Sequence, residues 1–337
     1  MTTIYDVSRL AGVSAKTVSR VLNEPDRVRT ETRAQVQAAM KALDYTPNAS
    51  ARQLRLGGTS SIGLLLEDPV SGYLSRFHHA LLTACMEAGK HISVELFDMQ
   101  PGWAERLDRF LNEGRVRDLI LLPPLCDFAP LKAHLRERGA RAVLIAPSVF
   151  DPHFPSVVMD DRAAARQVIE HLFALGHRRI GHIGGHPDHS AAILRRQGVF
   201  EAYDAAGLTR PEPELLVAGD FQFRKGIEAA EALLSLPQPP TAIFAANDET
   251  AAAVSVAAHK RGMSIPGDLS VIGFDDAPIA AAVWPALTTI AQPYLDMSRR
   301  VVQALDNWEA NFTSGAAATY MTAHSLIVRD SAGKAPR

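Results

Sequence analysis

The chain is poor in cysteine: only Cys85 and Cys126 occur in 337 residues, too few for a disulfide framework, so a reducing cytoplasm is the expected home. No apolar run approaches about 18 residues, which excludes a membrane-spanning helix. Asp6 and Arg9 interrupt the first apolar stripe, so the N-terminus does not read as a secretory signal. Neither sign of charge dominates, with 35 Lys and Arg against 37 Asp and Glu and a formal net charge of −2. Catalytic signatures are missing as well. No G-x-x-x-x-G-K-S/T loop, H-E-x-x-H helix or G-x-S-x-G elbow occurs, and Gly181-His182-Ile183-Gly184-Gly185 lacks dinucleotide-binding spacing. An NAD(P)-type α/β enzyme is therefore a disfavoured rival class. His177, His182, His186 and His189 are spaced by five, four and three residues without cysteine or paired carboxylates beside them, so no metal and no cofactor is expected.

What is present is an ordinary globular composition, 47% hydrophobic and 21% charged. At roughly 150 residues per domain the length allows about two full domains, or two and a small appendage, with a core large enough to need no staple. The balanced charge hides an asymmetry. Residues 1–58 hold nine basic side chains against five acidic ones, a local charge of +4, which leaves −6 for the remainder. A small basic head on an acidic body suits a nucleic-acid contact at one end, and on charge alone a solvated basic surface suits it as well.

The head reads as short helices with sharp punctuation. Thr3 and Asp6 form a capping-box-like start, with Ile4, Val7, Leu10 and Ala11 as an apolar stripe that Gly12 terminates. Ser14 can cap a second helix to about Asn23, with Val18, Val21 and Leu22 inward and Ala15, Lys16 and Arg20 outward. A third helix over Thr30 to Asp44 offers Val36, Met40 and Leu43 to close a small core. Two short helices joined by a glycine-containing turn make a helix-turn-helix pattern, the alternative being three core helices of a larger domain. Pro47 breaks the chain, Asn48–Leu56 can form about two further turns of helix, and Gly57-Gly58-Thr59-Ser60-Ser61 follows as a joint.

These residues bring a family into view. Thr3-Ile4-Tyr5-Asp6-Val7, Ala11-Gly12-Val13-Ser14, Thr17-Val18-Ser19-Arg20-Val21-Leu22-Asn23 and Tyr45-Thr46-Pro47-Asn48-Ala49 with Leu54 closely resemble the lactose-repressor (LacI/GalR) family of bacterial transcription regulators. The resemblance runs over nearly the whole chain. It implies that Ala15, Lys16 and Arg20 read base edges in the major groove, with Thr17 and Ser19 near phosphates and Asn23, Asn48 and Ala51 also at the DNA. It further implies that the Asn48–Leu56 helix folds in the minor groove when two subunits meet, with Leu54 as the wedge at the central base step. The chemistry suits these roles: Arg20 can pair bidentately with guanine, Lys16 is a point-charge donor, and an inserted Leu unstacks a step and bends the duplex.

From Ser61 onward apolar strand-like runs alternate with helical stretches. The runs are Ile62–Leu66, Ile92–Leu96, Leu119–Leu122, Ala142–Ala146, Val157–Met159, Arg179–Ile183, Ala242–Ala246 and Ser270–Phe274. Such alternation means parallel sheets with helices on both faces, and a ligand site outside the carboxyl ends of the strands. The resemblance implies a small all-α headpiece and a two-lobed periplasmic-binding-protein-like α/β domain. The boundaries expected are 1–46 for the headpiece, 47–60 for the hinge and 61–337 for the effector-binding and dimerisation domain. Its first lobe would hold about 61–159 and 290–318 and its second about 160–288 and 320–330, with crossings near Asp160, Thr289 and Thr319.

Matched position by position, Arg195 (three residues before Gly198), Asn247 and Asp275 stand where the family grips effector hydroxyls, and Phe221 where an aromatic stacks on the ligand ring. Tyr73 and Tyr294 are further wall candidates. Asp276 reads as structural, and the plain alternatives are a solvated Arg195 and a core Phe221. A planar arginine, an amide, a carboxylate and an aromatic face suit a polyhydroxylated ring. One position departs from the family: Ala146 replaces an acid that sugar-responsive relatives often carry, and Ser148 is the candidate substitute. The expectation is a homodimeric repressor of operator DNA controlled by a small metabolite, a sugar or sugar derivative, with a nucleobase, nucleoside or protein corepressor as alternatives. After His324–Asp330, which resembles the family's last strand, the seven residues Ser331–Arg337 leave no room for a heptad repeat, so a dimer and not a coiled-coil tetramer is expected.

Overall fold

The computed structural model describes residues 3–23, 27–45, 61–67, 72–187, 189–312 and 315–336. The chain divides into two compact units, Met1–Ser60 and Ser61–Arg337. The expected hinge helix, with Asn48, Ala51 and Leu54, lies outside the described residues.

In the first unit α1 (Ile4–Leu10), α2 (Ala15–Asn23) and α3 (Thr30–Ala42) surround one small core. Thr3 and Asp6 form a reciprocal capping box: the Thr3 N–H donates to Asp6 Oδ2 at 2.9 Å, and the Asp6 N–H donates to Thr3 Oγ1 at 3.4 Å. The Thr3 hydroxyl also donates to Asp6 Oδ2 at 2.7 Å, and that bond, with the one from the Thr3 N–H, holds the Asp6 carboxyl below its ordinary pKa. Gly12 takes φ +66°, a left-handed conformation that glycine adopts without steric cost, and the Thr17 N–H donates to Ser14 Oγ at 3.1 Å to start α2. Val7, Val18, Val21, Val36 and Ala39 are buried, with Met40 and Leu43 packed against them. Leu10, expected in the apolar stripe, is instead 55% exposed. It is the last residue of α1, where the stripe has turned off the core.

In the second unit all eight expected strands form. The first sheet comprises β1 (Ser61–Leu66), β2 (His91–Leu96), β3 (Asp118–Leu121), β4 (Arg141–Ile145) and β5 (Ser156–Met159), joined by α4 (Gly72–Glu87), α5 (Trp103–Glu113) and α6 (Ala129–Glu137). After α7 (Asp161–Ala174) the second sheet follows as β6 (Ile180–Gly184), α8 (Ser190–Ala205), β7 (Leu216–Ala218), α9 (Phe223–Leu234), β8 (Ala242–Ala245), α10 (Asp248–Lys260) and β9 (Ser270–Ile272). The chain then runs through α11 (Pro278–Ala282), β10 (Thr289–Ala291), α12 (Tyr294–Asp306), β11 (Thr319–Thr322) and β12 (Ser325–Ile327). Strand order is β11-β5-β4-β3-β1-β2 in the first sheet and β7-β6-β8-β9 in the second, all pairs parallel, while β10 and β12 form an antiparallel pair. Each sheet is covered on both faces, which is why its strands read as continuous apolar runs. No described helix is long and apolar enough to cross a membrane.

Two boundaries differ from expectation. β11 pairs with β5 from Thr319↔Ser156 to Thr322↔Met159, so residues 319–322 complete the first sheet and the last crossing falls after Thr322. The free edge of β5 takes this strand, and Thr322 Oγ1 adds a hydrogen bond to the Val158 carbonyl at 3.0 Å. β10 pairs with β12 and bridges to Asp275, so the chain stays with the second lobe through Ala291. It crosses at Gln292-Pro293, because α12 buries Met297, Val301 and Leu305 in the first lobe's core.

Candidate functional site

Two sets of candidate residues lie in the two units. On α2, Lys16 and Arg20 are exposed, Ala15 and Thr17 are half-buried, and Ser19 is buried. Thr17 Oγ1 shares a hydrogen bond with Ser14 Oγ at 2.9 Å. The two long cationic side chains sit one turn apart on a helix whose opposite face carries Val18 and Val21 into the core. The side chain of Asn23 lies outside the described residues.

In the second unit the carboxyl ends of both sheets face a shared cavity of about 230 Å³. One wall carries Leu65, Leu66, Leu122 and Ala146, and the other carries Asp161, Arg195, Phe221, Asn247 and Asp275. Arg195 is 4% exposed and so is not a solvated arginine. Its Nε donates to Asp161 Oδ1 at 2.8 Å, one terminal nitrogen donates to the Ala246 carbonyl, and the other lies 3.8 Å from Asp275 Oδ1. Its guanidinium carbon sits 3.5 Å from the Phe274 ring centroid, a cation–π contact. Gly198 one turn on is needed for close packing, since a Cβ there would stand 2.1 Å from the Arg162 carbonyl of α7.

Asp275 has φ +106° and is buried; its Oδ1 accepts from Gln292 Nε2 at 2.6 Å. Burial pushes its carboxyl up to about 7, against the pull of Arg195 and Gln292. Asn247 caps α10: the Thr250 N–H donates to its Oδ1 at 3.0 Å, while its Nδ2 donates to the Phe221 carbonyl at 2.9 Å. Phe221 is held by left-handed backbone at Asp220 (φ +56°) and itself (φ +58°), and its half-buried ring lies over Gly185, where a Cβ would fall 2.0 Å from the ring. His189 stacks beside it at 5.7 Å. Tyr73 reaches the cavity from α4 of the opposite lobe, and burial near Asp275 and Asp161 raises its phenol well above the ordinary value. Contacts that span the lobes include the Gly72 N–H donating to Glu249 Oε1 at 2.9 Å, Ser190 Oγ donating to the Ala146 carbonyl at 2.9 Å, and Arg76 pairing with Asp276 at 3.3 Å.

Comparison with known proteins places this geometry. Residues 3–48 match bacterial regulatory proteins, lacI family, and residues 169–332 match a periplasmic binding protein-like domain. The ribose operon repressor of Escherichia coli (strain K12) is 34% identical over 308 residues, covering 90% of this chain and 92% of the relative. The chain belongs to the lacI family. The HTH-type transcriptional repressor PurR of Photobacterium profundum is 31% identical over 307 residues, covering 90% of this lacI-family chain and 91% of that protein. Among solved structures, the lac repressor dimer bound to operator and the anti-inducer ONPF matches with TM-score 0.80 and 28% identity over 98% of each chain. The transcriptional regulator CelR–cellobiose complex matches with TM-score 0.73 and 30% identity, covering 98% of this chain and 100% of that one.

Two of the residues expected at the effector site of this lacI-family chain do not reach the cavity. Ser148 is exposed, because Asp127 accepts hydrogen bonds from both its N–H and its Oγ at 2.7 Å. Tyr294 stands behind the wall: its hydroxyl donates to the Asp275 carbonyl at 3.1 Å and its ring packs 5.8 Å from Tyr73. Asp276 bonds Arg329 at 2.6 Å as well as Arg76. Sequence reasoning missed Asp161, Gln292, His189 and Glu249 as lining residues. Asp161 had a signal, the Asp160-Asp161-Arg162 motif opening a helix at a strand end. Gln292 had none, since only the crossing between the lobes carries it to Asp275.

Proposed function

We propose that this protein is a transcriptional repressor that binds a palindromic operator as a homodimer and is controlled by a small metabolite, a sugar or sugar derivative, in the interlobe cavity. It acts by binding and not by catalysis, in the cytoplasm, and on the nucleoid when bound. The observation that carries this reading is the buried Arg195–Asp161–Asp275 cluster, opening into a cavity at the carboxyl ends of two parallel sheets in a chain with a helix-turn-helix head. The solved relatives support it: one holds operator and an anti-inducer as a dimer, and another holds cellobiose.

The surface supports self-association. β2 is the outer strand of the first sheet and exposes Val94 (44%) and Leu96 (65%), and Leu82 and Met86 are exposed on the preceding α4. A bare edge with apolar side chains is a surface that a second copy would cover. Two headpieces in a symmetric dimer would meet two half-sites related by the same two-fold. A metabolite that changes the closure of the lobes then changes the spacing of the two heads, and effector and operator alter each other's affinity by the same factor, typically ~1–3 kcal/mol.

Selection of duplexes from a random library with the full-length protein tests this directly. The expected product is an inverted repeat, bound by a dimer in sedimentation. Enrichment of no sequence, or of an asymmetric site by a monomer, would overturn it.

A further inference from the structure

The two walls of the cavity differ in kind. On the first-lobe side Leu65, Leu122, Pro123, Pro124, Leu125 and Ala146 form the surface. The two prolines have no N–H to offer a ligand. Four of the carbonyls here are already engaged: Leu122 O accepts from the Cys126 N–H at 3.0 Å, Pro124 O from the Asp127 N–H at 3.0 Å, Leu125 O from the Phe128 N–H at 3.1 Å, and Ala146 O from Ser190 Oγ at 2.9 Å. Among the described residues the polar side chains on this side are the Tyr73 hydroxyl and the exposed Glu67. The second-lobe side is the reverse, with Asp161, Arg195, Asn247, Glu249 and Asp275 converging on the same space.

Charge narrows the ligand further. That side carries three carboxylates and one guanidinium, and Arg195 is already engaged by Asp161 and the Ala246 carbonyl. Whatever the charge on Asp275, Asp161 and Glu249 face any incoming anion. A phosphate or carboxylate would meet like charge, with no lysine among the described lining residues, Arg195 already paired and His189 stacked on Phe221. A free aldose carries hydroxyls around its whole ring, and those turned toward the leucines and prolines would lose water without gaining a partner. Each such hydroxyl lowers affinity roughly ten- to a hundredfold.

We propose that the effector is a small uncharged deoxy sugar, its hydroxyl edge held by Arg195, Asp161, Asn247 and Asp275 and its methyl or methylene edge against Leu122, Leu125 and Ala146. This rests on the reading of the cavity as a sugar-effector site. Ala146 is the pivot: it sits at φ +45° at the end of β4, a left-handed conformation that Asp or Asn tolerates better than Ala.

The test uses the full-length protein and matched pairs: D-galactose with D-fucose, L-mannose with L-rhamnose, and D-ribose with 2-deoxy-D-ribose, beside ribose 5-phosphate and D-gluconate. Thermal unfolding and release or capture of selected operator DNA are the two readouts. At least one deoxy member should bind ten times or more tighter than its parent, with the phosphate and the acid inert. In the A146D variant the same pair should move at least tenfold toward the parent, as an acceptor returns to the apolar wall. A parent aldose that binds as tightly as its deoxy partner, or a phosphate that binds at all, overturns the deoxy-sugar proposal and leaves the sugar-effector reading standing. If no sugar moves either readout, or a nucleoside does so instead, the sugar reading falls and the proposal with it.

Discussion

Replacing Arg195 by methionine removes the guanidinium while keeping an unbranched chain to fill its channel. Asp161 and Asp275, 5% and 3% exposed, are then left without their counter-charge. Removing one partner of a buried ion pair costs about 3–5 kcal/mol, while a volume-conserving apolar exchange by itself costs under about 1.5 kcal/mol, so the electrostatic part decides the outcome. Asp275 will respond by binding a proton. Asp275 is already raised to about 7 with Arg195 present, and without that guanidinium it rises further above the ordinary unfolded value of about 3.9. A carboxyl raised in the folded state binds more protons there than in the unfolded chain, so stability increases as pH falls from the folded pKa toward the unfolded one. Urea unfolding followed by circular dichroism at pH 8 and pH 5.5 therefore has a definite expectation. R195M should lose about 3–5 kcal/mol at pH 8 and recover a substantial part of that deficit at pH 5.5. A variant within about 0.5 kcal/mol of the parent at pH 8 would show a solvated arginine. An equal deficit at both pH values would show that uncompensated carboxylates are not the cause.

Three further outcomes follow from single side chains. His182 on β6 is buried, stacked 5.0 Å from Phe244, with Nδ1 bonded to the Phe244 carbonyl at 3.0 Å and Nε2 without a partner among the described residues; burial pulls its pKa down to about 4. The unfolded chain binds this proton below about 6.5, so the stability that neutral His182 contributes is present above that pH and lost toward about 4, up to roughly 3 kcal/mol; H182L should show a flatter decline over that range in denaturant melts, and an unchanged slope would refute it. In G185A the new Cβ would stand 2.0 Å from the Phe221 ring, so the ring must move; calorimetry should show at least a tenfold loss of effector affinity, and unaltered affinity would remove Phe221 from the ligand's wall. R20A should cost about 1–3 kcal/mol of operator affinity and relax base preference at one position of each half-site, whereas a uniform loss across sequences would make Arg20 a phosphate contact.

The elements that could be read in advance are those whose causes are local. Thr3 and Asp6 cap α1 across three residues, Ser14 caps α2, and the apolar runs other than the exposed edge β2 become strands because both faces of each sheet are buried. Tyr73, Arg195, Phe221, Asn247 and Asp275 all lie round the cavity, at the strand ends where a parallel sheet exposes its loops. What escaped depends on partners distant in sequence. Ser148 is captured by a carboxylate 21 residues earlier, and Tyr294 is turned to a carbonyl 19 residues before it. β7 and β10 have only three residues each, too few to show a period. β11, Thr-Tyr-Met-Thr, leaves three of its four side chains at least partly exposed, so its composition does not announce a sheet partner more than 150 residues away.

The late return of the chain has a consequence for synthesis. The first sheet is laid down by Met159, yet its outer strand β11 and its covering helix α12 are translated only after the whole second sheet. The second sheet waits too: the Val271 N–H on β9 donates to the Ser331 carbonyl at 2.8 Å, and the Gly333 N–H donates to Ser270 Oγ at 3.0 Å. Neither half is complete until the final stretch has left the ribosome. A nascent chain halted near residue 290 would lack the helix whose Met297, Val301 and Leu305 pack in the same core as Val143 on β4 and Val157 on β5. Each lobe is thus assembled from segments distant in the chain, and until the closing segment emerges an incomplete sheet leaves apolar surface of the kind that promotes aggregation.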